Sequence, residues 1–209
     1  MCFSATASFV ASGVLAAAGV ATLKNTKSKR EIPLACIPLL FAVQQFLEGM
    51  LWLIGEPTDL SSAIATGFLF FAFAVWPIFM PAAVRMIEEN PLRRNILSIF
   101  LITGTIIGLS FATFLIRLPV SFAISDHRIE YFIDIPRILW TIALYVVVTC
   151  GSCMISSHRM IVIFGAAVAL SLAITLYYYE ATFTSVWCFF AAILSVILYL
   201  HFKFRWGSQ

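Results

Sequence analysis

The chain has 209 residues, of which 62% are hydrophobic, 15% aromatic and only 11% charged. About a quarter of an average soluble domain is charged, so this composition excludes an ordinary soluble globule and belongs in lipid. The net charge of +3 is small and dispersed; no basic patch interleaved with aromatics marks a nucleic-acid surface, and no nucleic-acid partner is expected.

The length suits a single transmembrane helical domain over residues 1–209. Met1-Cys2-Phe3 has neither a positive n-region nor a cleavage site after a short apolar stretch, so no signal peptide is expected, and no lipidation signal is visible. The first apolar run, Phe3 to Leu23, repeats Ser4, Ser8 and Ser12, with Gly13 and Ala17 at the same step. That is a small-residue face for close helix packing. A basic loop leads to the second run, Pro33 to Ile54. An acidic, turn-rich loop from Gly55 precedes the third, Ala63 to Val84, where Pro77 and Pro81 predict a kink in its inner half. Another basic loop precedes the fourth, Ile96 to Ile116, with Gly104 and Gly108 one turn apart. The longest polar stretch, Arg117 to Arg137, is long enough to fold over the bundle as a cap. Pro136 to Ile155, Met160 to Tyr177 and Thr182 to Phe202 complete seven runs of bilayer-spanning length. The turn Tyr178 to Glu180 between the last two is short enough for a re-entrant hairpin tip.

The expected fold is therefore all-α: a polytopic membrane helix bundle of seven transmembrane helices. Odd-numbered loops and the C-terminus hold ten Lys and Arg residues, namely Lys24, Lys27, Lys29, Arg30, Arg85, Arg93, Arg94, Arg159, Lys203 and Arg205. Even-numbered loops hold three, Arg117, Arg128 and Arg137. The bias places the N-terminus out and the C-terminus in. Glu56, Asp59, Asp126, Glu130, Asp134 and Glu180 fall in the even-numbered loops and agree.

Glu48 is the only carboxylate inside a predicted span. Gln44 and Gln45 lie four and three residues before it and Trp52 four after, so all four share one helix face. A carboxylate in hydrocarbon costs several kcal/mol unless it is paired, protonated or wet, so this face should turn inward. Two uses compete: a ligand, ion or proton site opening outward, or a hydrogen-bonded knot between helices. The small residues Ser4, Ser8 and Ser12 of the first span and Ser185, Cys188, Ala192 and Ser195 of the seventh should approach at the same depth. The candidate ligand-binding set is Glu48, Gln44, Gln45, Trp52, Tyr145, Trp187 and Ser8, with Trp52 and Trp187 as walls and Gln44, Gln45 and Tyr145 as floor.

Other chemistry-bearing residues have competing readings. Cys2 and Cys188 lie toward the same outer edge and could form a disulfide, bind a soft metal or simply pack. Cys150-Gly-Ser-Cys153 lies inside a span, without the βαβ context that makes such a pair a redox motif; Cys36 reads as packing. Thr141, Tyr145 and Thr149 form a polar stripe continued by Ser152 and Ser156, and Tyr145 needs a partner if buried. Asp126, His127 and Glu130 are either a metal or acid–base cluster or a solvated loop. Asp134 reads as an N-cap of the fifth span. His158 and His201 read as interfacial. Trp76, Trp140, Trp187 and Trp206 fit interfacial anchors or pocket walls.

Taken together, Met1-Cys-Phe-Ser-Ala-Thr-Ala-Ser-Phe9, Gln44-Gln45-x-x-Glu48-Gly49-x-x-Trp52, Phe70-Phe71 with Trp76-Pro77, Ser156-Ser157-His158-Arg159, and Ser185-Val-Trp187-Cys188-Phe-Phe-Ala-Ala resemble the marks of an uncharacterised bacterial integral-membrane family. The resemblance covers nearly the whole chain. It implies a fold and a set of marked positions, and no substrate.

Three classes of function are open. The least strained is a multi-pass cell-membrane protein with an outward-opening polar pocket around Glu48, binding or passing a small molecule or ion as a sensor or narrow permeation path. The second is an intramembrane, metal-dependent hydrolase using Glu48 with Cys2, His127 or Asp134. It lacks a ligand set: no span holds two histidines, and no His-x-x-x-His or Glu-x-x-His step occurs. No tightly bound zinc and no cofactor are expected. The third is a structural or assembly protein with the bilayer as its partner. The oligomeric state is open.

Overall fold

A computed structural model describes residues 4–125, 128–134 and 138–204. Six helical stretches are long and apolar enough to cross a membrane: Ala5–Lys24, Lys29–Ile54, Asp59–Ile87, Pro91–Arg117, Arg159–Tyr178 and Phe183–Phe204. They make the chain a multi-pass membrane protein built as an α-helical bundle. A shorter apolar helix covers Trp140–Ile155.

Helix α1 is Ala5–Lys24, with the Ser4 side chain accepting from the Ala7 N–H as its N-cap. The second stretch is a 3₁₀ turn (Lys29–Glu31), α2 (Ile32–Ala35) and α3 (Ile37–Ile54), stepped at Cys36 just ahead of Pro38. Gly55, at φ 75°, ends α3 in the left-handed conformation that glycine adopts without strain. The third stretch is α4 (Asp59–Leu69), a π-helical segment (Phe70–Val75) and α5 (Trp76–Ile87); Thr58 and Ser61 close a reciprocal capping box at its start. Then come α6 (Pro91–Arg117), strands β1 (Ser121–Ser125) and β2 (Arg128–Phe132), α7 (Ile138–Ile155) and α8 (Arg159–Tyr178). A 3₁₀ turn (Glu180–Thr182) leads to α9 (Phe183–Leu194) and α10 (Val196–Phe204), stepped at Ser195. Successive stretches pack side by side, and the last returns to the first through α10 against α1.

The distortion at Phe70–Val75 follows from Pro77. In this segment the Trp76 N–H reaches back five residues to the Phe71 carbonyl. Continued by one step, that register would give the Ala72 carbonyl to residue 77, but proline has no N–H. The Tyr145 hydroxyl donates to Ala72 O instead, at 2.7 Å. The prolines were expected to bend the inner half; the break lies on the N-terminal side of Pro77, where its missing donor is felt. Helix α6 packs against the same backbone through glycines. A Cβ on Gly104 would stand 1.8 Å from Pro77 O, and one on Gly108 2.5 Å from Ala74 O. Only hydrogen fits at either place.

The small-residue face of α1 follows its predicted spacing at Ser8 and Ser12 but not beyond them. Gly13 and Ala17 are exposed, and nothing lies within 4 Å of a Cβ built on Gly13. The buried side instead carries Ser8, Leu15, Gly19 and Thr22. Gly19 receives Leu39, and Ser12 donates to Ala42 O at 2.8 Å. Repeats of three and of four share one helix side, so a strict four-step rule drifts off it.

The segment after α6 is an antiparallel hairpin pairing Ser121 with Phe132 and Ser125 with Arg128. It adds a small strand element to the helical fold, and it acts as the expected cap. Phe122 and Ile129 are buried beneath it, Tyr131 stacks on Phe68 of α4 at 4.9 Å, and β2 packs on α9. Asp126 and His127 lie outside the described residues. Asp134 is exposed beyond β2, and residues 135–137, across which it would cap α7, are outside them too.

At the other end Glu88, just past α5, is only 3% exposed. Its carboxylate accepts from the Ser157 N–H (2.7 Å), the Ser157 hydroxyl (2.6 Å) and the Asn90 N–H (3.0 Å). Arg93 donates to the carbonyls of Ile155 and Ser156 at the C-terminus of α7, offsetting that end's partial negative charge. This clamp explains the Ser156-Ser157-His158-Arg159 stretch. Burial alone would raise the Glu88 carboxyl pKa, but the hydrogen bonds from Ser157 and Asn90 and the nearby His158 carry it below its ordinary value.

We expect Gly104→Ala to destabilise the bundle by roughly 1–3 kcal/mol, as overpacking against fixed backbone does; the melting temperature in detergent reads it. Because the folded state holds the Glu88 pKa down, its stabilisation is present above the unfolded-state value near 4.5 and fades as pH falls through the lower folded value. Glu88→Gln should lower the melting temperature at neutral pH and flatten the acid side of the pH–stability curve. A variant curve parallel to the wild-type curve would show that the clamp contributes nothing.

Candidate functional site

Glu48 lies six residues before the end of α3, about 9 Å along the axis from that end. Glu48, Gln44 and Gln45 are all fully buried. The shared face predicted from their spacing therefore does turn into the bundle. Gly49 beside Glu48 presents its bare backbone to the Phe9 ring of α1, with a virtual Cβ 2.9 Å from it. That contact seats α1 against α3.

Ser185, in the first turn of α9, donates its hydroxyl to Glu48 Oε1, and the Gln45 amide donates to Oε2 at 3.3 Å. Trp76 Nε1 donates to Gln44 Oε1 at 3.0 Å, which fixes the orientation of that amide. The Gln44 Nε2 atom thereby faces the Cys188 sulfur, a weak acceptor, and has no oxygen or nitrogen partner. Gln45 Oε1 also has none. Turning the Gln45 amide over would set its oxygen against Glu48 Oε2, which donates only when protonated, and would leave Nε2 without a partner instead. Two neighbouring amides beside a buried carboxyl thus each keep one unanswered polar atom, where buried polar groups are normally paired.

Tyr145, Trp187 and Trp76 wall a small cavity next to this cluster. Its volume is about 50 Å³, and the thiols of Cys150, Cys153 and Cys188 also face it. By that measure a water needs about 10–15 Å³, but the lining is almost wholly apolar, which suits a dry void better than ordered water or an ion. Tyr145 and Trp187 meet edge to face at 5.9 Å, and Trp187 Nε1 donates to Val168 O on α8 at 3.0 Å.

The structure therefore divides the predicted set. Glu48, Gln44 and Gln45 form one hydrogen-bonded cluster with Ser185, from the face expected to approach at that depth, and with Trp76, which was not in the predicted set. Tyr145 and Trp187 belong to the cavity wall instead, with the Tyr145 hydroxyl committed to Ala72 O. Trp52 is half-buried, and its Nε1 has no hydrogen-bond partner. Ser8 is buried on α1. None of Glu48, Gln44, Gln45, Trp52 and Ser8 is among the described residues lining the cavity.

Among the other candidates, Cys36, Cys150, Cys153 and Cys188 are free thiols, while Cys2 lies outside the described residues. Trp140 is 84% exposed, as an interfacial anchor would be, and Trp206 is outside the described residues. Tyr145, Thr149, Ser152 and Ser156 are all buried, so the polar stripe faces inward. Thr149 and Ser152 return their hydroxyls to the carbonyls of Tyr145 and Val148 on their own helix. Among the described residues no group of three or more His, Cys, Asp or Glu is placed to hold a metal ion. Trp76 could have been suspected from its place before Pro77.

Comparison with curated proteins and with solved structures finds no match. The model of a family of unknown function, DUF6629, matches residues 1–208. A helical bundle with a buried Gln-Gln-x-x-Glu-Gly cluster is thus the fold of a chain that belongs to the DUF6629 family of unknown function.

Proposed function

We propose that this protein is a seven-span member of a bacterial cell membrane, a single transmembrane domain with its N-terminus outside. Its Glu48 cluster takes a small ligand or ion that arrives from the outer face, in sensing or along a narrow permeation path. The observation that carries this reading is the pair of unanswered amide atoms, Gln44 Nε2 and Gln45 Oε1, beside a fully buried carboxyl. Together they offer one donor, one acceptor and one titratable oxygen pair to a guest. The adjoining cavity is lined almost wholly by apolar atoms, so the guest is selected by the cluster itself, whose donor, acceptor and carboxyl suit a proton, a small cation or a small polar molecule.

Helix α7 supplies the seventh span in this reading. Its 18 residues reach about 27 Å, close to the hydrocarbon thickness. The ten-to-three distribution of Lys and Arg sets the orientation. An alternative is that the Glu48–Ser185 bond serves only as a knot between α3 and α9. The competing hydrolase reading would need Cys2 or His127, which lie outside the described residues, or Asp134, which is exposed.

Two measurements decide between these. Single cysteines replacing Arg94 and Ala123 should label with an impermeant reagent from opposite sides of the membrane, Ala123→Cys from outside. Labelling of both from one side would end the seven-span topology. For the site, the melting temperature of the purified Glu88→Gln chain, which lacks the clamp's own acid dependence, should depend on pH or on a monovalent cation, and adding Glu48→Gln should remove that dependence while keeping the fold. Glu48→Leu should cost about 1–3 kcal/mol by leaving Ser185 and Gln45 unpaired. If the Glu88→Gln chain shows no pH or cation dependence and only Glu48→Leu loses further stability, the cluster is a knot and holds no guest.

A further inference from the structure

The largest polar cavity among those described lies at the opposite end of the bundle from Ser185 and the hairpin. It has a volume of about 470 Å³, within the roughly 300–1,000 Å³ typical of small-ligand sites. Four separate elements converge on it: the 3₁₀ turn before α2, the end of α5, the start of α8 and α10. Arg30, His158 and His201 bring nitrogen donors, and Glu31 and Glu89 bring carboxylates. Met86 and Phe202 add an apolar wall. The two imidazoles meet edge to face at 5.6 Å, and His158 Nε2 lies 3.4 Å from Ile87 O, so the ring is held at the end of α5.

The position and the mixed signs narrow the ligand. The cavity opens where the spans end, level with the basic loops, and Met86 is 41% exposed beside it. A soluble anion would need the cationic side alone and would be repelled by Glu31 and Glu89. A zwitterionic headgroup uses both: a phosphate meets Arg30 and the imidazoles, an ammonium meets the carboxylates, and the glycerol end runs along Met86 and Phe202. Arginine suits phosphate through its fixed fork of donors. We propose that this cavity binds the headgroup of a phospholipid that carries a phosphate diester and a primary ammonium, of the phosphatidylethanolamine type.

The test uses the full chain, stripped of lipid in detergent and examined by native mass spectrometry with three added lipids. These are dioleoylphosphatidylethanolamine, dioleoylphosphatidylglycerol and uncharged dioleoylglycerol. The ethanolamine lipid should be retained best and dioleoylglycerol least. Arg30→Gln and Glu89→Gln should each reduce the ethanolamine adduct about tenfold, the loss of one charge-assisted contact. Lys24→Gln, which changes an exposed cation on the same side but outside the cavity, should leave it unchanged. All three replaced side chains are exposed, so melting temperatures should hold. Equal retention of the three lipids overturns the proposal, as does an ethanolamine adduct indifferent to Arg30→Gln and Glu89→Gln. A loss with Lys24→Gln as large as with Arg30→Gln reduces it to bulk charge. Binding of soluble phosphoethanolamine with no lipid retained overturns the lipid as its source.

Discussion

A single missing hydrogen organises the middle of this bundle. Pro77 cannot donate to the Ala72 carbonyl, and the helix answers with a π-helical segment and a borrowed donor, the Tyr145 hydroxyl. The distortion opens a stretch of backbone at Ala74 and Pro77 that α6 approaches through two glycines. It also sets the bearing of Trp76, whose indole N–H closes on Gln44 and whose ring stacks on Phe41 at 4.2 Å. Three neighbouring helices are therefore registered on one irregular turn. In hydrocarbon an unanswered carbonyl has no water to fall back on, so the arrangement is specific: Tyr145 must be a tyrosine and Gly104 a glycine for the third stretch to hold its shape.

The same logic of polar handles runs through the interior. Trp76, Tyr145 and Trp187 each bury an aromatic body and find one oxygen acceptor on a different helix, on α3, in the π-helical segment and on α8 respectively. These bonds link helices that otherwise touch through apolar surface. Association in lipid gains little from hydrophobic burial, so such bonds and close small-residue contacts define the packing. Against that background the two glutamines stand out. Each retains an unanswered atom next to the buried carboxyl of Glu48.

Much of this was legible in the residues. Hydropathy located the apolar stretches, and helical spacing put Gln44, Gln45 and Glu48 on one inward face, because a carboxyl cannot face lipid cheaply. The parts that escaped share a physical cause: they depend on partners far away in sequence. Nothing local distinguishes Glu88 from Glu89, yet Ser157, 69 residues on, buries the first and leaves the second at the surface. Trp76 and Gln44 are 32 residues apart. The hairpin did carry a local signal, the alternation of Phe122 with Ile124 and of Ile129 with Tyr131, but a polar connector between spans reads first as a loop. On α1, the four-residue step of Gly13 and Ala17 pointed to the wrong side. Serine at its start served as a cap, and the burial followed Ser8, Leu15 and Gly19.

The bond between Glu48 and Ser185 spans 137 residues, and this has a consequence for biogenesis. At about 5–20 residues per second, the ribosome needs roughly 7–27 s after making Glu48 before Ser185 exists. During that interval the second span must enter the bilayer with its carboxyl lacking its interhelical partner. Gln45, three residues away on the same helix, is the companion that travels with it, and the leucine- and phenylalanine-rich remainder of the span supplies the drive for insertion. Helix α9, made after all the helices it packs against except α10, then completes the pairing. A nascent chain arrested before α9 would hold an inserted but unlocked Glu48, exposed to whatever quality control surveys polar groups in the membrane.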